Sequence, residues 1–228
     1  MSNPNEEKPY ERLNKLGKAL ENAKNSGNIS EIFVFSLELG NLCYKIKANE
    51  LGLKYVQEAI EFSKKNNSSQ NLYKFYNLLG DFNFELGLLD EANEAYNSVI
   101  KNTPKNNYLK LLAEVYFKLG RIYYIQEKGK QAINHFKKAE KICEGARLYT
   151  ELAKTYNQIG LMYLNKIPRS EAFTVDRYYW KGSSSFGKAK KYFEKAKIVI
   201  EENNLVEKEN TLYNSIQASL ATKFGDFK

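Results

Sequence analysis

Apolar side chains recur along this chain at the three- and four-residue spacing of helix faces. In residues 10–26 they are Leu13, Leu16, Ala19, Leu20 and Ala23, and Gly27-Asn28 ends the run. Adding 40 to the first four positions gives Leu53, Val56, Ala59 and Ile60. The same offset links Leu39-Gly40, Leu79-Gly80, Leu119-Gly120 and Ile159-Gly160, three of them with a tyrosine four positions earlier: Tyr76, Tyr116 and Tyr156. A fixed period between 20 and 50 residues predicts a stacked array of helical units, each burying its apolar face against the next.

The pattern divides the chain into a half repeat (10–26), four repeats (29–67, 68–104, 106–145 and 146–203) and a capping helix (205–224). In the first repeat Ser30 is the expected N-cap. Phe33, Leu37, Leu39 and Cys43 mark its first helix, and a turn near Asn49-Glu50 leads to a second helix over 51–65. In the second repeat Gly87 turns the chain, Asp90 is the expected cap of the second helix, and Thr103-Pro104 closes it. The third repeat carries Ala132, Phe136 and Ala139 on its second helix. In the fourth, the matching Ala189, Phe193 and Ala196 arrive 17 residues late, which places an insertion at 165–186. Tyr213, Ile216 and Leu220 continue the pattern on the capping helix, with Gln217 in place of the glycine.

Composition agrees with a folded chain: 228 residues, 43% hydrophobic, with 4 prolines and 13 glycines. No run approaches the roughly 18 apolar residues that span a membrane. The opening MSNPNEEKPYERL lacks the apolar core of a signal peptide, so the expectation is a soluble, cytoplasmic protein. The two cysteines, Cys43 and Cys143, lack zinc-site spacing, and Cys43 falls on an apolar helix face as a small buried thiol. With one histidine, His135, no metal site or cofactor is expected. No Walker loop, GxGxxG or GxSxG occurs, and the chain reads as a non-enzyme. The net charge of +8 suits either acidic partners or a lysine-rich solvated surface.

The alternation resembles the tetratricopeptide repeat family, in a long form of about 40 residues. The second repeat matches with Tyr76, Leu79, Gly80, Ala92, Tyr96 and Pro104, and departs at Asn83 and Val99. The third matches with Tyr116, Leu119, Gly120, Tyr123, Ala132, Phe136 and Ala139 but has no proline. The first is weakest, with Ser36 and Cys43 in aromatic positions and Gly52 for alanine. The resemblance implies an all-α fold, an α-solenoid of antiparallel helix pairs coiling as a right-handed superhelix. The recurrent glycine would admit the partner helix of its own repeat.

The resemblance also implies a concave face lined by the first helices. Its inward positions include Asn41 and Tyr44; Lys74, Asn77, Asp81 and Phe84; Phe117, Arg121 and Tyr124; and Lys154 and Asn157. Asparagines would bond a peptide backbone and aromatics would hold its apolar side chains. The family's carboxylate-clamping set is missing its lysines here, and Asp81 would repel a carboxylate. Arg177, Tyr178, Tyr179 and Trp180 in the insertion are residue types that anchor partners, and could fold over the groove as a lid or pack on the repeat beneath. The implied function is a scaffold or adaptor that holds a protein or peptide segment. Alternatives are a peptide-sensing regulatory module, or a nucleic-acid-associated protein using basic second helices such as that around KAKKYFEKAK at 188–197.

Overall fold

A computed structural model describes residues 8–66, 68, 72–104, 107–165 and 184–224. The chain divides into two compact units, 1–104 and 105–228. The first unit contains α1 (Pro9–Ser26), α2 (Ile29–Lys45), α3 (Asn49–Lys65), α4 (Leu72–Glu85) and α5 (Leu89–Asn102). The second contains α6 (Leu109–Ile125), α7 (Gly129–Ala146), α8 (Tyr149–Asn165), α9 (Ser184–Glu202) and α10 (Asn210–Phe224). No strand occurs among the described residues. Within each unit every helix packs on the next, and alternate first helices also touch, α2 with α4 and α6 with α8. This is the all-α helix-pair array that the 40-residue period predicts.

The recurrent glycines sit where the two helices of a pair meet. A Cβ built on Gly80 would lie 2.5 Å from the Tyr96 ring of α5. One on Gly120 would lie 2.7 Å from the Phe136 ring of α7, and one on Gly160 3.0 Å from Phe193 of α9. All three rings are buried. The late second helix therefore supplies the same ring as its counterparts, with Ala189, Phe193 and Ala196 fully buried beside it.

The first repeat solves the packing differently. Gly40 faces Leu78 and Val56, each about 3 Å from a Cβ there. Val56 stands where the other repeats have the ring, and a second close contact forms with α4: the Phe82 ring would lie 2.2 Å from a Cβ at Gly52. Two periods later Ala132 and Met162 share one cluster at the equivalent positions. A larger ring has been admitted by a smaller partner, so the departure at Gly52 conserves volume.

Six helix ends close in the same way, on one left-handed residue. These are Gly27, Lys47, Gly87, Glu127, Arg147 and Asn204, with φ between 54° and 78°. In each case the following N–H donates back to a carbonyl five residues earlier, as Leu88 to Asn83 and Lys128 to Tyr123, both at 2.8 Å. This is the Schellman closure of a helix C-terminus. It corrects three expectations. The turn of the first repeat centres on Lys47, and α3 already begins at Asn49. Asp90 is not a cap: Leu88 leaves the turn straight into α5, and Asp90 lies in its first turn. The capping helix starts at Asn210 rather than 205, because Asn204 and the Leu205 N–H close α9 and residues 206–209 form turns. Ser30 is likewise inside α2, whose N-cap is Asn28, accepting from the Glu31 N–H at 3.2 Å.

Two substitutions test this packing. Gly120→Ala gains up to about 1 kcal/mol in helix propensity but forces the Phe136 ring aside, for a net loss of roughly 1–2 kcal/mol in urea unfolding. Arg147→Gly relieves a left-handed side-chain residue and raises stability by roughly 0.5–1 kcal/mol in the same assay.

Candidate interaction surfaces

The first-helix positions marked by the sequence fall in both units. In the first unit they lie on α2 and α4. Asn41 is exposed, and its amide donates to the Leu37 carbonyl at 2.9 Å on its own helix. The Tyr44 ring meets Phe82 edge-on at 5.7 Å, with the Lys47 ammonium 5.3 Å from its centre. Lys74 is half-buried with its ammonium 5.9 Å from the Tyr73 ring, and Phe84 is half-buried. Asp81 is held internally. It accepts the Tyr96 hydroxyl at 2.6 Å and faces the Asn77 amide at 3.4 Å. The tyrosine whose ring fills the Gly80 contact thus also ties down the neighbouring carboxylate, a link that the 40-residue period does not show because the equivalent rings are phenylalanines.

In the second unit the structure brings three of the marked residues together. Phe117 and Arg121 of α6 and Lys154 of α8 line a cleft of about 190 Å³, with Ala113, Glu114, Lys118, Glu151 and Thr155. Phe117 is fixed from behind by Phe136, edge-on at 5.4 Å. Arg121 and Lys154 are exposed, and Lys154 reaches Glu209 at 3.5 Å. Burial pushes the Glu151 carboxyl up, but the Lys110 ammonium at 2.9 Å outweighs it and holds the group below its ordinary range. The cleft has an apolar floor and a rim of both charges.

Tyr124 belongs to a second hollow of about 420 Å³, with Ile125, Glu127, Gly129, Met162 and Asn165. Its hydroxyl accepts the Asn165 amide at 2.7 Å. Asn157 is half-buried on α8 and lines neither hollow. Arg177, Tyr178, Tyr179 and Trp180 lie outside the described residues. Sequence reading missed Lys118, Glu151 and Thr155. They are one turn from marked positions or from each other, which a fixed offset from the glycine passes over.

Both cysteines are buried, and burial pushes the thiols up, Cys43 to about 11 and Cys143 to about 12, so neither is a nucleophile near neutral pH. His135 stacks on Tyr123 at 5.0 Å, and its Nδ1 is buried without a hydrogen-bond partner. Among the described residues no three His, Cys, Asp or Glu side chains gather to hold a metal. None of their helices is long and apolar enough to cross a membrane.

Two stretches of the chain resemble a known repeat family. The tetratricopeptide repeat profile matches residues 73–106 and 113–145. In these two stretches the chain carries tetratricopeptide repeats. The two matched segments hold the Gly80–Tyr96 and Gly120–Phe136 contacts described above. No curated protein matches the sequence. Among solved structures, MamA is 21% identical, with a TM-score of 0.62 over 86% of this chain and 91% of its own. Aspartyl phosphate phosphatase F from Bacillus subtilis is 14% identical, with a TM-score of 0.65 over 95% of this chain and 56% of its own. A Rap conjugation gene regulator, solved in complex with a peptide, is 16% identical, with a TM-score of 0.55 over 90% of this chain and 57% of its own. These likenesses show a shared tetratricopeptide-like helical solenoid fold. The chain spans just over half the length of the last two.

Burial, with Lys138 adding to it, lowers the basicity of His135 below its ordinary value of 6.5. Its proton binds the unfolded chain better than the folded one, so this contribution is complete above about pH 7.5 and is lost as the pH falls through the unfolded value. Urea midpoints measured at pH 7.5 and 5.5 should differ less in His135→Phe than in the wild type.

Proposed function

We propose that the chain is a protein-interaction module that holds a segment of a partner polypeptide in the cleft between α6 and α8. The repeat fold is a scaffold, and the cleft is the place where its first helices leave room. One observation carries the reading: Phe117, Arg121 and Lys154, marked independently from sequence, converge on one 190 Å³ hollow. The half-buried Phe117 ring offers an apolar floor for one side chain of the partner. Arg121 and Lys154 at the rim suit a carboxylate or backbone carbonyl next to that side chain. Glu114 and Glu151 set the register by repelling an acid placed on their side.

Asn41, Tyr44, Lys74, Asn77, Asp81 and Phe84 form a separate candidate surface in the first unit. There the Asp81 carboxylate faces the Asn77 amide and accepts the Tyr96 hydroxyl. The peptide complex of the Rap regulator supports a polypeptide ligand for a fold of this type. A peptide-sensing role would use the same cleft, with the ligand biasing the packing of α6 on α8.

Peptides selected from a random library against the full chain provide the test. They should lose at least about tenfold in affinity, roughly 1.4 kcal/mol, against the Phe117→Ala, Arg121→Glu double variant. Ile198→Asp on α9 should bind them like the wild type. Selected peptides that bind all three proteins alike would place the partner site elsewhere.

A further inference from the structure

The charge of this protein is segregated. Residues 1–104 hold 12 Lys and Arg against 14 Asp and Glu; residues 105–228 hold 23 against 13. The first unit is therefore −2 and the second +10, so the excess positive charge of the chain belongs to one unit. Asymmetry of this size between halves is a sign of a polyanionic partner.

In the second unit the lysines are arranged in rows. Lys130, Lys137 and Lys141 fall within about 40° on one side of α7 at the helical 3.6 residues per turn. Lys188, Lys191 and Lys195 fall within about 60° on one side of α9. The rows meet across one seam: Lys137 contacts the Tyr192 hydroxyl, and Lys195 lies 3.9 Å from Glu140, which also takes Lys137 at 2.6 Å. One buried carboxylate thus serves two ammonium groups. Lys130, Lys141, Lys188 and Lys191 are exposed and pair with no carboxylate among the described residues. By contrast Lys190 and Lys197, on the other side of α9, are spent on Glu194 at 3.8 Å and Glu201 at 3.7 Å.

We infer that the α7–α9 face is a docking surface for the phosphodiester backbone of nucleic acid, read by charge and without base specificity. The residue types choose this partner over an acidic protein. Protein interfaces are depleted in lysine and built on arginine and aromatic anchors. Neither helix holds an arginine, and Ile198 is the one exposed large hydrophobic among their described residues. The tyrosines of the seam are covered rather than offered. Tyr163 and Tyr192 stack on each other at 6.0 Å, Lys188 lies 5.6 Å from the Tyr163 ring, and Lys137 lies 4.7 Å from Tyr192. Base stacking is thereby excluded as the main contribution, leaving lysine–phosphate attraction, which releases counterions and needs only a dense row of mobile cations.

The test is the salt dependence of binding of a fluorescent 20-base-pair DNA duplex to the full chain, followed by anisotropy from 50 to 200 mM KCl. Wild type should bind with a linear log Kd–log salt dependence. A Lys130→Gln, Lys141→Gln, Lys191→Gln triple variant should reduce its slope by about 2–3, near 0.9 for each phosphate no longer neutralised. The same three positions changed to arginine should keep the slope. Removing three first-unit charges, by Lys18→Gln, Lys54→Gln and Lys64→Gln, should change it by less than 1. The inference is overturned by no duplex binding at 50 mM KCl, or by equal effects of the two triple glutamine variants, which would mean net charge without a surface. A poly-glutamate 20-mer that displaces the duplex at equal charge concentration would also overturn it and assign the face to an acidic polypeptide.

Discussion

The contact on which the rest of the structure depends is that of a helical glycine with an aromatic ring on the second helix of its own repeat. A glycine inside a helix costs about 1 kcal/mol against alanine. Burying a phenylalanine side chain returns about 1.5–3 kcal/mol, and it can do so here only because no Cβ stands in the way. Phe136 and Phe193 are fully buried against Gly120 and Gly160, and Tyr96 against Gly80. The distance of closest approach within each pair is set by this contact. In the first repeat Val56 takes the place of the ring opposite Gly40, and a glycine at 52 makes room for Phe82 of the neighbouring α4.

Tight pairs require tight turns, and the left-handed closures supply them. Lys47, Gly87 and Glu127 recur at the same 40-residue period as the glycines, although only one of the three is itself a glycine. The turn is imposed by the two helices it joins, and the backbone hydrogen bonds it completes offset the strain of a side chain at positive φ. The tertiary arrangement therefore reaches into the local conformation of lysine, glutamate and arginine residues that carry no turn signal.

Function is left with the surfaces that packing does not consume. Aromatics at first-helix positions are mostly half-buried against their own unit, as Tyr44 against Phe82 and Phe117 against Phe136. Asp81 is taken up by Tyr96. The hollows between α6 and α8 and the lysine rows of α7 and α9 lie in the second unit, on different helices. A polypeptide in the first and a polyanion on the second would depend on different physics, apolar burial with a few polar contacts in one and screened Coulomb attraction in the other.

The sequence by itself determined the repeat, its period, the helix pairs and the role of the glycines, because a period of 40 with a glycine opposite an aromatic is a one-dimensional record of a contact made again in each unit. It also determined that Cys43 would be buried, from its place on an apolar stripe. The tertiary structure alone decided which inward residues come together. Asn77 and Asp81 satisfy each other, while Phe117, Arg121 and Lys154 converge with Glu151 and Thr155, and these outcomes depend on neighbours one turn away and one repeat apart. Lys47 and Glu127 became turn residues, and Asn204 ended α9 ahead of α10, for the same reason. Helix periodicity is fixed by local spacing along the chain, whereas side-chain partners and turn geometry are fixed by whatever the folded helices bring within reach.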